Sequence, residues 1–286
     1  MKFKKYIPYI LWTLLGFAVI LSVAFVNVKQ NDVKCNAVQI DIADDAGNYF
    51  IENNDVLELL NSKGKQPLGK PINEINTALL ETIINTNPFV ANAEVFSTLN
   101  GKLNIRVKQR TPIIRIINTE GENFYIDDEG YLMPVSDKYT PNVIVASGVI
   151  NERYTRRRIK EQAFIANDTA NKKLIIEQLY AIAEYLQRDS VANALFTQVY
   201  VNENNEIELI SRIGDQNILI GDAGDLEKKI EKLLVFYRKG LNKTGWTQYS
   251  TINLEFENQV VCTKKGVVKS TLPVAVRDSV KREIIN

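Results

Sequence analysis

Val90–Ile116 reads VANAEVFSTLNGKLNIRVKQRTPIIRI, and how its middle turns decides the architecture around it. Asn100-Gly101 is the pair that best tolerates positive φ, which predicts a two-residue type I′ turn. Beyond it Leu103, Ile105 and Val107 alternate with Lys102, Asn104, Arg106 and Lys108, so one face of a strand is buried and the other wet. Pro112 lacks an amide donor and marks a boundary after this hairpin.

Upstream, AVQIDI (37–42) alternates as a strand does, and Asn53 or Asn54 is placed to cap a short helix over DVLELL (55–60). In INEINTALLETIIN (72–85) the apolar Ile72, Ile75, Leu79 and Ile83 recur near a 3.6-residue period, giving one stripe of a second helix. Strand, helix, helix, strand, strand within about 75 residues describes a small α+β unit, with both helices on one face of a three-stranded sheet.

Downstream the style changes. IIRII, NFYI, YLMP and NVIVAS are short strands with turn signals between them. A helix follows over Lys172 to Arg188, with Ile175, Leu179, Ile182, Ala183 and Leu186 as its stripe. FTQVYV, EIELIS and NILIG resume the strands. A second helix starts at GDAGDLEKK, with Asp225 as N-cap, Gly240 as C′ residue, and Leu226, Ile230, Leu233, Leu234 and Tyr237 inward. STINLEFENQVVCTK (250–264) is the last hairpin. The expected second domain is thus mixed α/β, with a largely antiparallel sheet ending in that C-terminal hairpin.

At the other end, Tyr6 to Val28 carries no charged residue and is flanked by Lys5 and Lys29. As a helix it would span roughly 34 Å, enough for the hydrocarbon layer. Lys2, Lys4 and Lys5 precede it, whereas Lys29, Asp32 and Lys34 nearly cancel, so the N-terminus is expected in the cytoplasm and the bulk of the chain outside. Ser22-Val23-Ala24 resembles a signal cleavage site, but the apolar run continues past it, which favours a retained anchor. The domain reading is a tail over 1–5, a span over 6–28, a connector over 29–36, folded domains over 37–109 and 110–265, and a C-terminal tail over 266–286.

Chemistry is constrained mostly by exclusion. The 286 residues contain no histidine, which removes Ser-His-Asp and Cys-His nucleophiles and most catalytic zinc sites. A net charge of +1 offers no field for nucleic acid. Cys35 and Cys262 read as separate thiols. NFYIDDEGYLMP (123–134) sets Asp127, Asp128 and Glu129 before a glycine, but the spacing breaks the EF-hand pattern, so it reads as a turn with solvated carboxylates. No metal, cofactor or small-molecule substrate is expected. Arg153, Arg156, Arg157, Arg158 and Lys160 read as a solvated loop rather than a lipid-headgroup site. GDAGD lacks the spacing and lysine of a P-loop and reads as a strand-to-helix connection.

Ser62-Lys63-Gly64-Lys65 and Lys243-Thr244-Gly245 spell two of three motifs of penicillin-binding transpeptidases. No Ser-x-Asn element lies between them, and Gly64, Pro67 and Gly69 oppose the helix that would present the serine and lysine together. A membrane-anchored transpeptidase is therefore the alternative reading, not the first.

The succession of short tail, span, β-α-α-β-β unit and mixed β domain resembles the FtsQ/DivIB family of bacterial cell-division proteins. The resemblance is carried by VKQRTPIIRI, FYIDDEGYLMP, the helix after ILIG, and INLEF in the last hairpin. It implies a POTRA-like first domain that helps localise the protein to the septum. It implies a β domain that binds FtsB/FtsL-type coiled-coil proteins and links them to septal peptidoglycan synthesis, without catalysis. It places partner binding on a sheet edge in the last hairpin, over Thr251, Ile252, Asn253, Leu254, Glu255, Phe256, Val260, Val261 and Cys262, where a partner strand would satisfy vacant main-chain groups. Glu255 stands where the family usually has a basic residue, and Lys264 near where some members have tryptophan. A POTRA component of another envelope assembly is the remaining reading, and no run of membrane strands accompanies it here.

Overall fold

The computed structural model describes residues 12–20, 33–43, 47–157, 159, 174–241 and 245–266. The chain divides into two compact units. One holds the chain up to Pro112 with Asp127–Glu129 and Met133–Asn142; the other holds Ile113–Ile126, Gly130–Leu132 and the chain from Val143.

In the first unit, β1 (Ala37–Ala43), α1 (Asn53–Ser62), a 3-10 turn (Ile72–Glu74), α2 (Thr77–Ile84), β2 (Val90–Ser97) and β3 (Lys102–Gln109) follow one another. The sheet order is β1-β3-β2, with β1 parallel and β2 antiparallel to β3. Alternation does what the sequence demanded: Leu103, Ile105 and Val107 are fully buried while Arg106 and Lys108 are exposed. The helix α1 packs on β1 and α2, and α2 packs on β2. At the end of β3, the buried Gln109 accepts the amides of Phe50 and Ile51 and donates to Asn48 O, holding the segment that leads into α1.

Three local expectations are corrected. Glu52, not Asn53 or Asn54, caps α1, in a reciprocal capping box with Asp55. Asn76 caps α2 by accepting from Leu79 N, so the helix starts only at Thr77; Ile72 and Ile75 precede it, and Leu80 and Ile84 are its buried pair, not Leu79 and Ile83. The turn between β2 and β3 is longer than two residues. Only Gly101 has positive φ there, and Gly101 N donates to Thr98 O. The connection therefore takes in Thr98 to Gly101, with glycine alone in the left-handed conformation that a type I′ turn would demand of two residues.

The second architecture is a nine-stranded sheet. Its strands are β4 (Pro112–Ile117), β5 (Asn123–Asp127), β6 (Leu132–Pro134), β7 (Ile144–Gly148), β8 (Phe196–Val201), β9 (Ile207–Ser211), β10 (Asn217–Gly221), β11 (Tyr249–Asn253) and β12 (Val261–Lys264). The helices are α3 (Ile175–Arg188), α4 (Ser190–Leu195) and α5 (Leu226–Phe236), the last running into a π turn over Tyr237–Leu241. Spatial order is β12-β11-β10-β9-β8-β7-β4-β5-β6. The pairs β4–β7, β7–β8 and β10–β11 are parallel, whereas β8–β9, β9–β10 and β11–β12 are antiparallel. The sheet is therefore mixed, with three parallel pairs where the sequence reading expected a largely antiparallel sheet. The reason lies in the connections: α3 and α4 cross between β7 and β8, and α5 between β10 and β11, and a helical crossover returns the chain in the same direction.

One hydrophobic cluster unites this sheet with its helices. Ile176, Leu179, Ile182, Ala183 and Leu186 of α3 and Leu226, Ile230 and Leu233 of α5 are buried with Ile116, Val199, Leu209, Ile218, Ile220 and Ile252. Each large aliphatic side chain buried this way contributes about 1.5–3 kcal/mol. Two capping expectations change. Asp225 stands at the N-cap of α5 in the left-handed region without a side-chain cap bond. Gly240 lies inside the π turn without positive φ, so it is not a C′ stop.

Residues 12–20 are helical and exposed. Most of the span expected over 6–28 lies outside the described residues, as do the tail over 1–5 and residues 267–286. Among the described residues no helix is long and apolar enough to cross a membrane.

Candidate functional site

The margin expected over Thr251–Phe256 and Val260–Cys262 takes in two strands, β11 and β12, and the turn between them. β11 is interior: it pairs with β10 on one side and β12 on the other. Leu254 N donates to Leu219 O, so Ile252 and Leu254 turn their main chain toward β10, and by alternation Thr251 and Asn253 turn theirs toward β12. The main chain of Thr251, Ile252 and Asn253 is thus not at the edge. Leu254, Glu255 and Phe256 lie past the strand end; Leu254 is fully buried and Phe256 is 46% exposed. Asn253 and Glu255 close a local turn, Glu255 N donating to Asn253 Oδ1 and Asn253 Nδ2 to Glu255 Oε2.

The outermost strand among the described residues is β12. Lys265 N donates inward to Gln248 O, so the same alternation points the main-chain groups of Val261 and Thr263 toward β11 and those of Cys262 and Lys264 outward. Val260 leads into the strand, and Val261 is 42% exposed. Cys262 stands opposite the buried Ile252, and burial pushes its thiol pKa up, which keeps it a protonated, weakly nucleophilic group.

Beside the margin, a groove of about 580 Å³ runs between α5 and the turn before β12, lined by Lys228, Lys232, Val235, Phe236, Glu257 and Val260. Two lysines of α5 reach main-chain carbonyls. Lys229 Nζ donates to Ile220 O (2.8 Å), Asp222 O (3.0 Å) and Asp222 Oδ1 (2.8 Å). Lys232 Nζ donates to Leu254 O (3.0 Å) and to Phe256 O. Sequence reading passed over Lys229, although a lysine set among Leu226, Ile230 and Leu233 on one helix face was the available signal. The GDAGD loop is the strand-to-helix connection expected of it, and Lys229 occupies its oxygens.

The other motifs resolve as follows. Asp127–Glu129 form the turn between β5 and β6, but the carboxylates are not all solvated. Asp127 is 1% exposed and accepts from Arg110 Nη1 at 2.7 Å, with Glu129 N bonded to its other oxygen. A buried carboxylate must find a cation, and Arg110 lies well upstream, between β3 and β4, where no local pattern announces it. Asp128 and Glu129 are exposed. Arg153 pairs with Glu120, and Arg156 and Arg157 are exposed, while Arg158 and Lys160 lie outside the described residues. Ser62 ends α1 with its hydroxyl on Leu59 O, and Gly64 turns to positive φ, so Ser62 and Lys65 do not share a helical face. Lys243 and Thr244 lie outside the described residues. Among those described, no three His, Cys, Asp or Glu side chains gather where a metal could be held.

Residues 111–263, more than half of the chain, match the family described as FtsQ/DivIB, C-terminal related. Residues 33–108 match the POTRA-like domain. The chain is also similar to a cell division protein FtsQ of Rhodothermus marinus, at 23% identity over 202 residues covering 69% of each chain.

Proposed function

The chain belongs to the FtsQ/DivIB family of non-enzymatic cell-division proteins, and from that premise we propose a membrane-anchored scaffold that captures FtsB/FtsL-type coiled-coil partners by strand addition to β12. Residues 6–28 anchor it in the inner membrane with the N-terminus cytoplasmic and the folded units outside, at the division septum. The POTRA-like region over 37–109 serves localisation or further divisome contacts, and the β domain over 110–265 links its partners to septal peptidoglycan synthesis.

The observation that carries the reading is the position of β12. It is the last strand of the sheet among the described residues, and Cys262 and Lys264 direct an amide and a carbonyl each to its outer side. Main-chain groups at such an edge supply affinity for any extended segment, and flanking side chains select among segments. Val261 and Phe256 supply exposed apolar surface beside it. Glu255, where the family is usually basic, calls for a basic residue in the partner at the matching position.

The test is Cys262→Pro. It removes an outward N–H that β11 does not use, so the edge strand tolerates it. Binding to a purified FtsB-like coiled-coil partner should fall by about tenfold or more, and cells relying on the variant should form filaments. Wild-type affinity in the folded variant would exclude strand addition at β12.

A further inference from the structure

We infer that α5 acts as a clamp that sets the β12 margin before any partner arrives, with Lys232 as its positioning residue. The inference rests on β12 being the binding margin. Parallel strands β10 and β11 end on the same side, and carbonyls at both ends take a lysine donor, Ile220 O beside the Asp222 amide it already accepts. The helix that crosses between these strands supplies both donors. Lys229 serves the carbonyls at the end of β10, at Ile220 and Asp222, and Lys232, one helical turn on, serves those after β11, at Leu254 and Phe256.

The two anchored turns are also fitted to each other. Leu254 N donates to Leu219 O at 2.8 Å. Gly221 has positive φ, and a Cβ there would lie 2.5 Å from a Glu255 carboxylate oxygen, so glycine lets the two turns approach. The consequence for β12 is direct. Residues 254–260 reverse the chain from β11 into β12, and the first and third carbonyls of that reversal are held by a single ammonium group. Bonds from a charged donor are roughly twice as strong as neutral ones. Lys229 is buried among its partners, whereas Lys232 lies at the rim of the groove, where replacement leaves the core intact. A margin held in place this way needs little ordering when a partner strand pairs with it, so the clamp raises affinity without touching the partner.

The experiment compares wild type, Lys232→Met and Lys232→Arg of the full chain. Without partner, amide exchange in Thr251–Lys264 should quicken about tenfold in Lys232→Met while β8 and β9 exchange as before. Affinity for the coiled-coil partner should fall about fivefold, and Lys232→Arg, which restores a charged donor, should recover most of both. Unchanged exchange over 251–264 in Lys232→Met, or no recovery with Lys232→Arg, would overturn the clamp. If Lys232→Met loses its fold, Lys232→Gln, which keeps a neutral donor, is read by the same exchange measurement against the same criteria. The exchange readout needs no partner. A failure of strand addition, seen as normal binding by Cys262→Pro, is therefore told apart from a failure of the clamp.

Discussion

At β6 the nine-stranded sheet stops in a short strand whose outer side is occupied: Leu132 N donates to Arg157 O, and Ile159 N donates to Gly130 O. Pro134 closes it with a residue that has no amide to offer. Among the described residues the other end of the sheet is β12, a strand with outward main-chain groups whose own Val261 lies in solvent. The small sheet also covers an edge, since Val95 N of β2 donates to the Glu81 carboxylate of α2. Unpaired edges invite association, and folded proteins blunt those they do not use. The contrast teaches that this chain has the means to close an edge and, among the described residues, leaves β12 outermost, with α5 bracing the turn that leads into it.

Three substitutions break or sharpen that contrast. Leu254→Pro should have the largest effect. It removes the amide bonded to Leu219 O and a fully buried side chain, costing about 4 kcal/mol or more in urea unfolding. A near-neutral result would mean that the end of β11 is not interior. Arg110→Met comes next, because it leaves the Asp127 carboxylate, 1% exposed at the end of β5, without its cation. Such a loss costs about 3 kcal/mol. Partner affinity should hold in the folded fraction, since the change lies far along the sheet order from β12. Equal losses of stability and affinity would erase the difference between the two ends. Val261→Lys should be the mildest for the fold, a few tenths of a kcal/mol at most by the same measurement. A half-exposed edge position loses little packing. A large destabilisation there would show that β12 is built as core.

Much of the fold was legible. The alternation of Leu103, Ile105 and Val107, and the helical spacing of Leu179, Ile182, Ala183 and Leu186, placed these strands and helices with their inward faces. Where reading failed, a local rule met a competitor. The α2 stripe shifted because Asn76 began the helix later than apolar spacing implied, and the Asn-Gly turn lengthened because only Gly101 took positive φ. The candidate margin was read over both strands of the last hairpin, of which only β12 lies outermost among the described residues. Ile252 and Cys262 sit in strands with similar patterns, and which strand lies outermost depends on neighbours rather than on either pattern.

Periodicity and turn residues were enough to set the order of elements and the two folded regions, because each follows from interactions within a few residues along the chain, whereas the non-catalytic reading came with the resemblance to the FtsQ/DivIB family. Strand order, the parallel pairings made by the crossover helices, the pairing of Arg110 with Asp127 and the reach of Lys229 and Lys232 to the ends of β10 and β11 were decided only by tertiary structure. These are contacts between distant segments, selected by which arrangement buries the apolar faces while leaving the fewest main-chain groups unpaired.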